Sequence, residues 1–132
     1  MKNLVDTAII AGNFKTLIKA IQEAGLTDIL RTEGPYTFFA PNDEAFLKLP
    51  SGTMEKILQD KEKLTNILTY HVVPNKVMAK DVTILRKVET INGKKIKIET
   101  ANGVKIDNAR IIKTDIVCTN GVIHVIDHVL LP

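Results

Sequence analysis

One hundred and thirty-two residues, 45% hydrophobic and 25% charged, fit one domain of ordinary globular composition, residues 1–132, with no room for a second core. Eighteen Lys and Arg against fifteen Asp and Glu give a net charge of +3, scattered except for short clusters such as Lys94, Lys95 and Lys97, so nucleic acid is not an expected partner. The single cysteine, Cys118, excludes an internal disulfide, a Cys-x-x-Cys redox pair and a zinc site built on several thiolates. The longest stretch without a charged residue, Leu64 to Asn75, is too short to span a bilayer as a helix, so no direct membrane insertion is expected. No apolar leader core follows Met1, which implies either a cytoplasmic chain or a mature or excised domain.

The first third predicts helices. Leu4, Val5, Ala8 and Ile9 recur at helical spacing and stop at Gly12. Asn13 is then placed to cap a second helix, whose Phe14, Leu17, Ile18 and Ile21 share one face before Gly25. Leu26 to Arg31 predicts another helical turn, ended by Glu33-Gly34-Pro35. Tyr36 to Ala40, aromatic and β-branched between two prolines, predicts a buried strand. Asn42 follows as the N-cap of a short helix through Phe46, with Asp43 and Glu44 in its first turn facing the positive end of the helix dipole. A further helix covers Met54 to Gln59, and Asp60 caps one that carries Leu64, Ile67 and Leu68 to an end near Tyr70-His71, before Pro74.

From Val82 the period changes to two. Lys95 to Glu99 and Val104 to Asp107 alternate, and Asn-Gly pairs at 92–93, 102–103 and 120–121 separate apolar runs, which predicts an antiparallel meander. A three-residue loop around Gly103 opposes Ile98 to Ile106. A two-residue turn at Asn120-Gly121 pairs Cys118 with Ile123 and Ile116 with Val125. Helices first and strands afterwards give an α+β domain.

Residues with chemical potential are few. His124 and His128 lie in a strand pattern, where a spacing of four places them about 13 Å apart, too far to share a metal ion. His124 shares a face with Val122 and Ile126 and is expected buried. Cys118 sits in an apolar strand where a thiol is inert. Ser51, the only serine, has no nucleophile elbow, and no phosphate-binding glycine loop exists. No catalytic residue, metal or cofactor is expected.

Three blocks together resemble the fasciclin domain. Thr37-Phe38-Phe39-Ala40-Pro41-Asn42-Asp43-Glu44-Ala45-Phe46 is similar to the family's first signature and Asn120 to Pro132 to its second, with Gly121, His124 and Asp127 among the matching positions; Leu68 to Pro74 resembles the Tyr-His segment between them. The resemblance implies a compact wedge, with helices packed on two small, mainly antiparallel sheets, and a non-enzymatic adhesion module, extracellular or at the cell surface. Such a module would bind a cell-surface or matrix protein or a polysaccharide, with weak self-association allowed. In animal matrix members, partner binding is attributed to an Asp-Ile pair and to the Tyr-His segment. These correspond here to Asp115 and Ile116 and to Tyr70 and His71.

The residues offer a second account of Tyr70 and His71, as buried hydrogen-bonding groups that lock the last helix, with Thr37, Asn42 and Asp43 within reach as partners. A rival function is a small-molecule or lipid carrier using a cleft between helices and sheet. It requires a continuous apolar cavity.

Overall fold

The computed structural model describes residues 2–50, 52–82, 86–100, 104–107 and 109–130. Six helices come in the first half: α1 Leu4–Ala11, α2 Lys15–Ala24, α3 Thr27–Thr32, α4 Asp43–Leu47, α5 Thr53–Gln59 and α6 Lys61–Thr69, interrupted by strand β1 Tyr36–Pro41. Then follow β2 Val72–Pro74, α7 Ala79–Val82, β3 Lys87–Glu89, β4 Lys95–Glu99, β5 Lys105–Ile106, β6 Ala109–Cys118 and β7 Gly121–Ile126. The strands form one hydrogen-bonded order, β2-β1-β7-β6-β5-β4-β3, antiparallel except for the parallel β1–β7 pair. The two small sheets expected are thus the two ends of a single mixed sheet, joined through the long β6.

β1 and β7 are interior strands, which explains their sequences. Each is covered on both faces, so neither alternates with polar residues. Phe38, Ala40, Ile123 and Val125 face the helices and join Leu4, Leu17, Ile21, Leu64 and Leu68 in the larger core. Phe39 and Ile126 face the other way, into a second core with Tyr70, Ile96, Ile98, Ile106 and Leu130.

Most caps fall as the sequence predicts: Asn42 Oδ1 accepts the Ala45 N–H at 2.9 Å and Asp60 Oδ1 the Lys63 N–H at 3.2 Å. Helix α2 differs. Phe14, not Asn13, occupies its N-cap position, without a side-chain bond. The missing acceptor comes from across the fold, where Asp43 Oδ1 accepts the Thr16 N–H at 2.9 Å and the Asp43 N–H donates to Asn13 O. One carboxylate thus caps α2 from the start of α4.

The Ile98–Ile106 register is as expected, although the loop at 101–103 lies outside the described residues. The final hairpin is shifted. Cys118 pairs with Gly121 and Ile116 with Ile123, so the turn is Thr119-Asn120 and Gly121 already belongs to β7. Gly121 is in the strand because the Tyr36 backbone passes where a Cβ would stand, a close approach only glycine allows.

Candidate functional site

Parallel pairing at β1–β7 sets Phe39 beside His124 and Thr37 beside Val122, which places these side chains on one face of the sheet. Phe39 and the fully buried His124 stack with ring centroids 5.7 Å apart. Backbone N–H groups only donate, so the bond from Asp115 N–H at 3.3 Å makes His124 Nδ1 an acceptor. The proton is then on Nε2, which donates to Val77 O at 2.7 Å. Thr37 reinforces the same segment, its hydroxyl donating to Asn75 O and accepting from Val77 N–H, both at 2.7 Å. The signature residues Thr37, Phe39 and His124 are therefore a brace holding residues 75–77 on one side and β6 on the other.

At its outer end the brace reaches Asp115. The β6–β7 ladder slips twice, between Ile111 and Lys113 and between Lys113 and Ile116, and Asp115 sits in the second irregularity with φ +55°. Its N–H turns inward to His124, and its side chain is exposed. Ile116 is partly buried against the larger core, while its neighbours Ile112 and Val117 are 52% and 39% exposed. β5 pairs with β6 only at Ala109 and Arg110. Among the described residues, β6 beyond Ile111 therefore has β7 as its only hydrogen-bonded neighbour. A ten-residue strand with such an edge would invite pairing with another chain, and the bulge and Lys113 interrupt it.

Tyr70 and His71 are placed differently. They are 5% and 1% exposed, so a partner docking on this surface meets neither ring. The Tyr70 hydroxyl donates to Asp107 Oδ2 at 2.7 Å, and Asp107 Oδ1 accepts the Lys97 N–H at 2.9 Å, tying α6 to the β4–β5 end of the sheet. Burial, reinforced by the Asp107 carboxylate, raises the phenol well above its ordinary range. His71 Nε2 accepts the Leu130 N–H at 2.8 Å, so Nδ1 carries the proton donated to Ile67 O at 2.7 Å. Burial lowers the His71 pKa to about 4, with the Ile67 carbonyl and Asp107 offsetting only part of it. The locking account of this pair holds, but the partners are Asp107, Ile67 and Leu130 rather than Thr37, Asn42 or Asp43.

Asp127 closes the second signature. Its Oδ1 accepts the Arg110 N–H at 2.8 Å and a bond from His128 Nδ1 at 2.9 Å. Partial burial works against ionisation, yet these donors and Lys48 outweigh it and lower the carboxyl below its usual range. Pro41 is buried opposite Ile126, and Phe46 packs on the larger core. Cys118 is a buried free thiol whose pKa burial raises, against smaller opposing effects from Thr7 and Lys76. Among the described residues, no three His, Cys, Asp or Glu side chains are grouped to hold a metal ion, and no helix is long and apolar enough to cross a membrane.

One hub was not legible as such. Asn120 looked like half of a turn signal, but its side-chain amide donates to Leu30 O and Glu33 O, both at 2.8 Å, and its Oδ1 accepts the Leu4 N–H at 3.0 Å. Its carbonyl accepts the Tyr36 N–H at 3.0 Å. A single residue thus fixes the start of α1 and the end of α3 through its side chain and the beginning of β1 through its backbone.

This arrangement, helices on a mixed sheet whose interior parallel pair carries both signature segments, defines a fasciclin-type fold. A fasciclin-domain family model matches residues 12–132, and the chain belongs to that family. It is 44% identical over 131 residues to the protein sll1735 of Synechocystis sp., an alignment covering 99% of this chain and 98% of that protein. It is 40% identical over 120 residues to the transforming growth factor-beta-induced protein ig-h3 of Sus scrofa, covering 90% of this chain and 18% of that one. Among solved structures, a FAS1 domain pair from the insect cell adhesion molecule Fasciclin I superimposes with a TM-score of 0.79 at 21% identity, over 99% of this chain and 51% of that one.

Proposed function

We propose that this chain is a non-enzymatic interaction module acting at a cell surface or in the surrounding matrix, and that it contacts its partner through the outer edge of β6. The observation that carries this reading is the bulge at Asp115. The buried His124 ring fixes the backbone there, and the exposed Asp115 side chain shares its strand with the exposed aliphatics Ile112 and Val117. A fixed acidic group beside apolar surface suits recognition of a protein, because little ordering is needed on contact. Family membership and the likeness to an insect cell adhesion molecule support the same reading. Tyr70 and His71 contribute by holding the fold rather than by touching the partner.

The carrier reading has little room. Among the described residues, two cavities between helices and sheet, one lined by Leu4, Leu17, Ile21, Phe38 and Ile123 and one by Ala20, Phe46, Ile57, Leu64 and Val129, are about 10 Å³ each. That is about the space of one water molecule. The test is fibroblast adhesion to wells coated with wild type or Asp115→Asn, which keeps the shape and removes the charge. The variant is expected to retain less than a fifth of the adherent cells at an unchanged melting temperature. Equal adhesion by the two proteins, or none to wild type, would overturn the reading.

A further inference from the structure

The basic cluster at Lys94, Lys95 and Lys97 is not used by the β6 edge, and the fold gives part of it a setting. The turn between β3 and β4 is tied to α6 and β2: the Asn92 amide donates to Asn66 O at 3.0 Å, Asn92 Oδ1 accepts the Lys94 N–H at 3.0 Å, and the Ile91 N–H donates to Val72 O at 2.8 Å. The Thr90 hydroxyl and the Gly93 N–H close the turn on itself, bonding Lys94 O at 2.7 Å and Thr90 O at 3.0 Å. Between this turn, α5 and α6 runs an open groove of about 520 Å³, within the range of ordinary ligand sites.

Its lining has two parts. The buried Ile57 and Ile67 make an aliphatic floor, and Lys63, Lys94, Asn66, Asn92 and Thr53 make the walls. Among the described residues no lining residue is acidic, and Glu55 and Glu62 on the same helices are exposed outside the groove. Among the described residues, neither the Lys63 nor the Lys94 ammonium forms an ion pair, and the Asn66 amide and Thr53 hydroxyl form no hydrogen bond. Among the described residues, the groove therefore offers two unpaired cations and two uncommitted polar groups over an apolar base, carried by two helices and a hydrogen-bonded turn.

From this we infer that the α5–α6 groove binds an anionic polysaccharide, independently of the β6 edge. A pyranose ring has an apolar C–H face for Ile57 and Ile67, hydroxyls for Asn66 and Thr53, and a carboxylate or sulfate for Lys63 and Lys94. Lysine suits this role because it acts as a point charge without imposing a fixed fork geometry on the anion. A nucleic-acid strand fits less well, since the lining holds no aromatic residue on which a base would stack.

The experiment is calorimetric titration of the full chain with oligogalacturonate, a heparin oligosaccharide, neutral dextran and oligoglutamate. Oligogalacturonate and heparin distinguish a carboxylate from a sulfate ligand. At least one is expected to bind, and dextran and oligoglutamate to bind at least tenfold more weakly. Binding should weaken with added salt. Lys63→Glu/Lys94→Glu should lose at least tenfold in affinity, and Lys2→Glu/Lys19→Glu, with the same change in net charge elsewhere, less than twofold. Asn66→Leu, which leaves the charge alone, should lose severalfold. The inference is overturned if neither anionic glycan binds, if both charge-reversed proteins lose equally, if Asn66→Leu binds as wild type, or if oligoglutamate binds as tightly as the glycans.

Discussion

Acidification tests whether His71 is held neutral in the folded protein. The ring is enclosed, its Nε2 accepts from Leu130 N–H, and a proton there would break that bond and charge a buried group. The folded pKa is about 4 against the usual 6.5, so the unfolded chain binds the proton first as pH falls. The associated stability is complete above pH 6.5 and is lost progressively as pH falls from there toward 4, about 3 kcal/mol in all. Between pH 7.5 and 5.0 the loss is about 2 kcal/mol, which at a urea dependence of ~2 kcal/mol per molar moves the unfolding midpoint by about 1 M. His71→Gln keeps an oxygen for Leu130 N–H but does not titrate. Its loss over the same range should be smaller by about 2 kcal/mol, with contributions common to both proteins cancelling in the comparison. If urea melts show the same pH dependence in both proteins, the ring is not buried neutral and the reasoning fails.

Three further perturbations probe the frame. Gly121→Ala should drive the Tyr36 backbone away from β7 and destabilise by more than about 4 kcal/mol, measured as loss of soluble folded protein; a melting temperature near wild type would contradict the β1–β7 register. Asn120→Ala removes three side-chain bonds at once and is expected to lower stability by about 2 kcal/mol in urea, with hydrogen exchange rising first in α1 and α3. Asp43→Ala should cost about 1 kcal/mol and speed exchange at the start of α2, a helix of which Asp43 is not part; faster exchange in α4 alone would refute the cross-fold cap.

Local rules made much of this fold legible. Helical spacing located α1, α2 and α6, Asn42 and Asp60 announced their caps, and strict alternation gave β4 its inward Ile96 and Ile98. What escaped the sequence was set by contacts between distant segments. β2 is three residues long and follows a helix end directly, so periodicity has nothing to register, and four-residue α7 is equally short. The Asn120-Gly121 pair carried a true turn signal one residue out of place, because the Tyr36 backbone claims Gly121 for the strand and three distant backbone groups claim the Asn120 side chain. Asp43 looked like a local first-turn acid and caps a helix 27 residues earlier.

The candidate site was legible in its residues more than in their roles. His124 was readable as buried from its face, but its link to Asp115 depends on a bulge that alternation cannot predict. The family resemblance attributes partner binding both to Tyr70 and His71 and to Asp115 and Ile116, yet burial separates the two pairs: the first is enclosed in the core, and in the second the Asp115 side chain is exposed. Lys63 and Lys94 lie 31 positions apart and meet only because Asn92 ties its turn to α6.

The most direct test of the β6 edge compares two surface changes in one adhesion assay. Ile112→Ser/Val117→Ser removes the exposed aliphatics of that edge, and Leu47→Ser removes the most exposed large apolar side chain among the described residues, 82% accessible, at the end of α4. With all three proteins coated at equal density and equally stable, the edge variant should lose most of its adherent cells and Leu47→Ser should match wild type. Equal adhesion by the edge variant and wild type, or an equal loss in both variants, would contradict the assignment of the contact surface to β6.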